Sequence, residues 1–153
     1  MKQKIKVGWQ EWVSLENLGI PRIKVKVDTG ATTSSIGTKT IKEFEQNGET
    51  WVKFNVKPIQ GSKIKVSCEA KVVDKRTVSD SGGHKSLRYV VRTHLTIGNK
   101  SWPIEITLAD RTKMKYQMLL GRQAMKGRIL VDPGKSFLQG KVKKSEALAV
   151  YSD

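Results

Sequence analysis

An all-β, closed barrel-like domain with one short helix is the fold class this sequence predicts, and three observations predict it. Apolar residues recur at every second position in segment after segment, and Gly, Asn and Pro punctuate those segments. Only one short stretch, Arg122 to Lys126, reads as helical. Closing the strands into a barrel removes the sheet edges that would otherwise template aggregation. The 153 residues suffice for one real core and are too few for two, so a single domain over 1–153 is expected.

In chain order, residues 4 to 13 carry Ile5, Val7, Trp9, Trp12 and Val13 and predict a strand, and Asn17 to Pro21 turn the chain. Residues 22 to 27 predict the next strand, with Ile23, Val25 and Val27 alternating with Arg22, Lys24 and Lys26. Thr38 to Gln46 fits either a strand or one helical turn. Asn47-Gly48 is a hairpin signal leading into Val52, Phe54 and Val56. After Pro58 and Gly61, residues 63 to 73 hold the longest clean alternation, and Ser79-Asp80-Ser81-Gly82-Gly83 marks a turn. Tyr89, Val91, Leu95 and Ile97 then pair through Gly98-Asn99 with Trp102, Ile104, Ile106 and Leu108. The short helix precedes Ile129-Leu130-Val131 and the Asp132-Pro133-Gly134 turn, and the last ten residues are expected to fray.

The net charge of +15, from 29 Lys plus Arg against 14 Asp plus Glu, concentrates anionic partners. Nucleic acid, an acidic peptide and simple solubility are the competing readings. Lys63, Lys65 and Lys71 alternate along strands instead of forming blocks, which favours a solvated sheet face. No helix-turn-helix, zinc-finger or RNP pattern accompanies the charge, which argues against nucleic acid. Cys68 stands alone, in phase with Ile64, Val66, Ala70 and Val72, and is expected to be buried and inert. Met1 to Lys6 is basic without a following apolar stretch, so no signal peptide or membrane span is read, and a cytoplasmic location is expected.

The candidate chemistry sits at Val27-Asp28-Thr29-Gly30-Ala31, where a half-buried strand ends in a carboxylate followed by small hydroxyl residues, Thr32 to Ser35. Gly30 lets backbone approach closely, so Asp28 can accept main-chain hydrogen bonds in a tight turn and activate a water. Other chemistries lack their residues. His84, His94 and one Cys at unrelated spacings do not make a zinc set. Neither His accompanies a strand-turn nucleophile, and Gly82-Gly83 lacks the Lys-Ser/Thr of a phosphate loop. No metal and no cofactor is expected.

About ninety positions downstream comes Met118-Leu119-Leu120-Gly121-Arg122. The two segments together resemble the signatures of retropepsin-like aspartic peptidases, in which an apolar strand ending in Gly-Arg runs beside the catalytic turn. More closely, the chain resembles the bacterial and archaeal family labelled ATP-dependent zinc proteases. The resemblance runs through Gly8 to Val13, Arg76 to Gly82, Arg88 to Val91, Trp102 to Glu105 and Arg111 to Met114. It implies an acid-protease barrel, Asp28 as catalytic residue, and Thr29, Gly30, Ala31, Gly121 and Arg122 as its support. Members are often associated with ATP-grasp ligases that append amino acids, glutamate among them, which implies a trimming role opposite such a ligase. A cationic surface suits a glutamate-rich peptide or protein substrate, and Ser81, Gly82, Arg88 and Arg111 are the candidate substrate-binding residues.

Two departures stand out. The family usually continues Arg-Thr-Ser-Ala-Leu-His after Ala31, whereas this chain has Thr32-Thr33-Ser34-Ser35-Ile36-Gly37, without the basic residue or the His. Viral retropepsins carry an acid at the place of Thr32 that pairs with the Gly-Arg arginine. Arg122 is therefore expected to take another partner, a carboxylate such as Asp132 or that of the substrate.

One Asp-Thr-Gly is half of an aspartic site, because the chemistry needs two carboxyls sharing a proton. A twofold homodimer supplies the second Asp28. The Ser79-to-Lys85 turn is a candidate flap over the substrate. The competing function is a catalytically inactive binding module that keeps the barrel and offers its basic face to an acidic partner.

Overall fold

The computed structural model of the chain describes residues 3–79, 81–111 and 113–151. Asp80 of the expected turn, Thr112 and the last two residues lie outside them.

Eleven strands are described: β1 (Ile5–Val7), β2 (Gln10–Leu15), β3 (Ile20–Val27), β4 (Ser34–Gly37), β5 (Ile41–Gln46), β6 (Glu49–Val56), β7 (Val66–Ser79), β8 (Lys85–Ile97), β9 (Lys100–Ala109), β10 (Met118–Leu120) and β11 (Ile129–Val131). Two short helices join them, α1 (Arg122–Met125) and α2 (Lys144–Ala149). The main sheet runs β2-β3-β10-β4-β9-β8-β7-β6-β5, and a second pairing of β2 with β8 closes its first six strands into a barrel. Inside lie Ile23, Val25, Ile36, Leu95, Ile106, Met118 and Leu120, all fully buried. They are the in-phase residues of alternating strands, and their removal from water is the main force holding the barrel together.

The mixed register positions the site. β10 runs parallel to β3, Met118 opposite Val25 and Leu120 opposite Val27, and antiparallel to β4, Met118 opposite Ile36. β3 and β4 are consecutive in the chain, yet β10 lies between them, so the 28–33 connection must loop around the end of β10.

The elements differ from the sequence reading in four places. The first strand breaks at Gly8-Trp9, where a Cβ on Gly8 would lie 2.2 Å from the Lys135 carbonyl oxygen and the Trp9 N–H donates to that oxygen instead. The open choice at 38–46 resolves as strand β5, paired antiparallel with β6 across Asn47-Gly48. That turn takes positive φ at both residues, 54° and 76°, as its Asn-Gly sequence requires. β7 continues past residue 73 to Ser79 because a bulge between Val72 and Asp74 shifts its phase while pairing with β8 goes on. The expected fraying of the tail gives way to α2, which buries Ala147 and is followed by Tyr151, whose hydroxyl bonds the Arg22 carbonyl.

Cys68 is buried as expected, its thiol donating to the Leu18 carbonyl at 3.2 Å and pushed up to about 12 by desolvation. Among the described residues no helix is long and apolar enough to cross a membrane.

Candidate active site

Asp28 is the first residue past β3, half-buried, at the rim where the barrel opens. Its N–H donates to the Leu120 carbonyl at 2.9 Å, continuing the β3–β10 ladder by one residue. Its Oδ1 accepts the Gly30 N–H at 2.9 Å, and its carbonyl accepts the Ala31 N–H at 3.2 Å. The carboxylate is thereby oriented through one oxygen by a local turn. Thr29 and Gly30 are exposed beside it.

The end of β10 fastens the rest of the loop. Gly121 N–H donates to Ser34 Oγ at 3.0 Å, Arg122 N–H to the Ala31 carbonyl at 2.8 Å, and Gln123 N–H to the Thr32 carbonyl at 3.0 Å. Helices begin with N–H groups that lack a partner in their own helix, and here the loop carbonyls supply partners for α1. A Cβ on Gly121 would lie 2.5 Å from the backbone of Thr33, so only glycine permits this approach. Under the loop, Thr107 Oγ1 donates to the Ser34 carbonyl at 3.1 Å.

Arg122 corrects one expectation. Its Nη1 donates to the Thr29 carbonyl at 2.9 Å and its Nη2 to Thr32 Oγ1 at 3.0 Å. Asp132 is engaged elsewhere, accepting the Gly134 N–H. Thr32 therefore keeps, with a hydroxyl, the contact that an acid makes in the viral enzymes, and the guanidinium braces the loop without a carboxylate.

Of the four expected substrate-binding residues, Arg111 is the one that feels Asp28, and Arg88 is its cationic neighbour. Arg111 lies just beyond β9, half-buried, with Nε and Nη2 both donating to the Tyr116 carbonyl. Burial is the chief cause that lowers its pKa; the neighbouring Arg88 adds to the fall and the Asp28 carboxylate opposes it. One guanidinium thus feels both a second cation from β8 and the candidate catalytic group. Gln117 Nε2 bridges the Arg111 and Met114 carbonyls and closes the 111–117 loop. Ser81 and Gly82 lie at the exposed tip of the β7–β8 hairpin.

Sequence reasoning missed Glu11 and Tyr116. Glu11 is fully buried and accepts three backbone N–H groups, from Gly8, Leu138 and Gln139, pinning the segment after β11 against β2. Its signal was its phase, since it alternates with Val13 and Leu15 on the inward face. Tyr116 donates to Gln10 Oε1 at 2.6 Å and meets Trp9 edge to face, tying the 111–117 loop to the barrel.

This combination, an Asp-Thr-Gly loop wrapped around the Gly-Arg end of an intervening strand, agrees with the comparisons to known proteins. Residues 6–142 match the model of the RimB-like family, described as retropepsin-like aspartic endopeptidase RimB. The chain belongs to the RimB-like family. Its likeness to a solved Legionella pneumophila protein of unknown function (DUF785) is close, with a TM-score of 0.75, 28% identity, and coverage of 90% of this chain and 99% of that one. Among curated proteins it is 44% identical over 149 residues to a "Probable alpha-L-glutamate ligase" of Shewanella pealeana, and 43% identical over 153 residues to one of Parasynechococcus marenigrum. These alignments take in 97% and 99% of this chain but only 32% and 33% of the relatives, so the RimB-like chain spans about a third of the length of the curated proteins it matches.

The zinc in the label of the resembling family finds no fit here. Among the described residues no three His, Cys, Asp or Glu side chains gather as a metal set. Cys68 is a buried, protonated thiol on a backbone carbonyl, and His94 Nδ1 faces Asn17 Oδ1.

Proposed function

We propose that the chain is an aspartic-type peptidase whose dyad is formed by Asp28 of two subunits and which trims acidic, glutamate-extended peptides. The observation that carries this reading is the Asp28 turn. A half-exposed carboxylate with one oxygen committed to Gly30 and the other without a hydrogen-bond donor among the described residues is held by β10 and α1. Two such turns brought together about a twofold axis place like carboxylates roughly 3 Å apart, where only one ionises. The ionised Asp28 takes a proton from water as the oxygen attacks the scissile carbonyl, and the protonated Asp28 donates to the carbonyl oxygen. Collapse of the tetrahedral intermediate breaks the C–N bond, and the amine leaves with a proton returned through the pair. The exposed Thr29 beside each Asp28 is placed to bond across the axis and hold the two loops.

The substrate class rests on charge and on kinship. Arg111 carries a guanidinium that feels the Asp28 carboxylate and has Arg88 as a cationic neighbour, a pairing suited to carboxylate side chains near the reacting bond. The curated relatives carry a glutamate ligase name on a chain about three times as long, which supports a functional link between this hydrolytic domain and a ligase of the ATP-grasp kind. A ligase that adds glutamates and a hydrolase that removes them set tail length between them. The test is incubation of the native protein and Asp28→Asn with glutamate-extended peptides at several pH values, read by mass spectrometry. Stepwise loss of glutamate by the native protein alone supports the reading. Equal peptide binding by both proteins with cleavage by neither would make the chain a binding module for an acidic partner.

A further inference from the structure

A cavity of about 680 Å³ opens between the far end of β4, the 57–65 connection and the 113–117 loop. It is separate from the Asp28 turn: Gly37 and Gln117 line it, whereas Ser34 and Gly121, at the opposite ends of the same two strands, clasp the catalytic loop. At about 3.3 Å of rise per residue the two places are roughly 10 Å apart. Lys39, Lys57, Lys65 and Lys115 surround it, and no Asp or Glu is among its lining residues. Lys144 adds a further ammonium close to Gly61 on the same wall. Gln60 stitches the walls together by donating to the Lys115 carbonyl.

Lys115 and Lys144 also bear on a further lysine, which does not itself line the cavity. Lys24, over the faces of Trp12 and Phe137, has its pKa lowered first by burial and then by Lys115 and Lys144. Like charges crowded around an open cavity stabilise an anion that spans them. The ligand that fits is extended and carries several separated charges, because the lysines come from three connections on different sides. Their shared 111–117 loop points the same way: Arg111 at one end senses Asp28, while Lys115 and Gln117 at the other face the cavity.

We propose that this cavity is a second binding site, taking a carboxylate-rich peptide segment that lies beyond the bond presented to Asp28. The inference rests on the peptidase reading for the identity of that segment, and the binding experiment separates the two. The parent is Asp28→Asn, which binds without turnover, and the probe is a fluorescent hexaglutamate peptide followed by anisotropy. Replacing Lys57, Lys65 and Lys115 together by Ala should weaken binding about tenfold or more. Replacing Lys100, Lys126 and Arg128, which line a different cavity, removes the same charge and should change it less than twofold. Equal losses in the two variants would overturn the proposal by reducing the effect to net charge. Tighter binding of a single-stranded oligonucleotide of matched charge, lost in the first variant, would overturn it in favour of nucleic acid. If the native protein cleaves no peptide while the first variant still loses affinity, the cavity stands and the peptidase reading fails. Cleavage by the native protein with undiminished binding in the first variant gives the reverse. Matching melting temperatures guard against misfolding.

Discussion

Glu11, within β2, and Asp28, just past the end of β3, are carboxylates of one barrel, and their surroundings could hardly differ more. Glu11 is fully buried, and both its oxygens are occupied by backbone N–H groups from three residues. Asp28 is half-exposed just past a strand end and has, among the described residues, one donor, Gly30 N–H, on one oxygen. A buried carboxylate with three backbone donors spread over both oxygens is a structural staple, because any change of charge or proton leaves buried donors unsatisfied. One that is held firmly yet incompletely is available for chemistry. The firmness comes from elsewhere, from Leu120, Gly121, Arg122 and Gln123, none of which touches the free oxygen.

This contrast predicts opposite phenotypes. Asp28→Asn should cost roughly a thousandfold or more in turnover of a glutamate-extended peptide while the melting temperature barely moves. A loss of stability of several degrees would instead make Asp28 a staple like Glu11. Glu11→Ala should destabilise by about 3 kcal/mol in urea unfolding, since three backbone donors lose a charged acceptor. Any activity lost should return in proportion to the folded fraction.

Gly121→Ala sits between these extremes. Its new methyl group would meet Thr33 backbone at 2.5 Å, so the loop must move, at about 1–3 kcal/mol and with loss of most activity. Arg122→Gln, which removes a charged brace from Thr29 and Thr32, should lower kcat about tenfold and stability by about 1 kcal/mol. A larger fall in affinity for acidic peptide than in kcat would show Arg122 to be a substrate ligand instead.

A third carboxylate, Glu105, marks the small end of the scale. It lies on the outer face of β9, where Arg76 and then Arg92 hold its carboxyl below the usual range. A depressed folded pKa contributes stability above the unfolded carboxylate pKa, and that contribution disappears as pH falls through the folded value. On this partly exposed surface it should be under about 1 kcal/mol, so Glu105→Gln should flatten the acid limb of the stability curve only slightly.

What the sequence made legible follows the same division. Asp28 and Gly30 follow from a short-range rule, a strand ending in a turn, while Gly121 and Arg122 were singled out by the resemblance to retropepsin-like peptidases, and the structure brings the four together. That the strands close into a barrel was legible from alternation and turn residues, whereas the number of strands in it, six, and the β2–β8 pairing that closes it were not. The partner of Arg122 was not legible, because a hydroxyl on Thr32 serves where charge logic suggested a carboxylate. Glu11 was hidden because its three donors come partly from residues more than a hundred positions away. α2 was missed because its packing depends on Ala147 alone among fully buried residues of that helix. The lysine-lined cavity gathers residues from three connections, so no window along the chain contains it.

The proposed site needs the Asp28 of two chains. Specific activity toward a glutamate-extended peptide, measured across a dilution series alongside mass by analytical ultracentrifugation, tests it most directly. Activity per chain should fall in step with the dimer fraction and vanish where the chain is monomeric. Constant activity per chain in the monomeric range would show that a single Asp28 suffices and that the shared dyad is wrong.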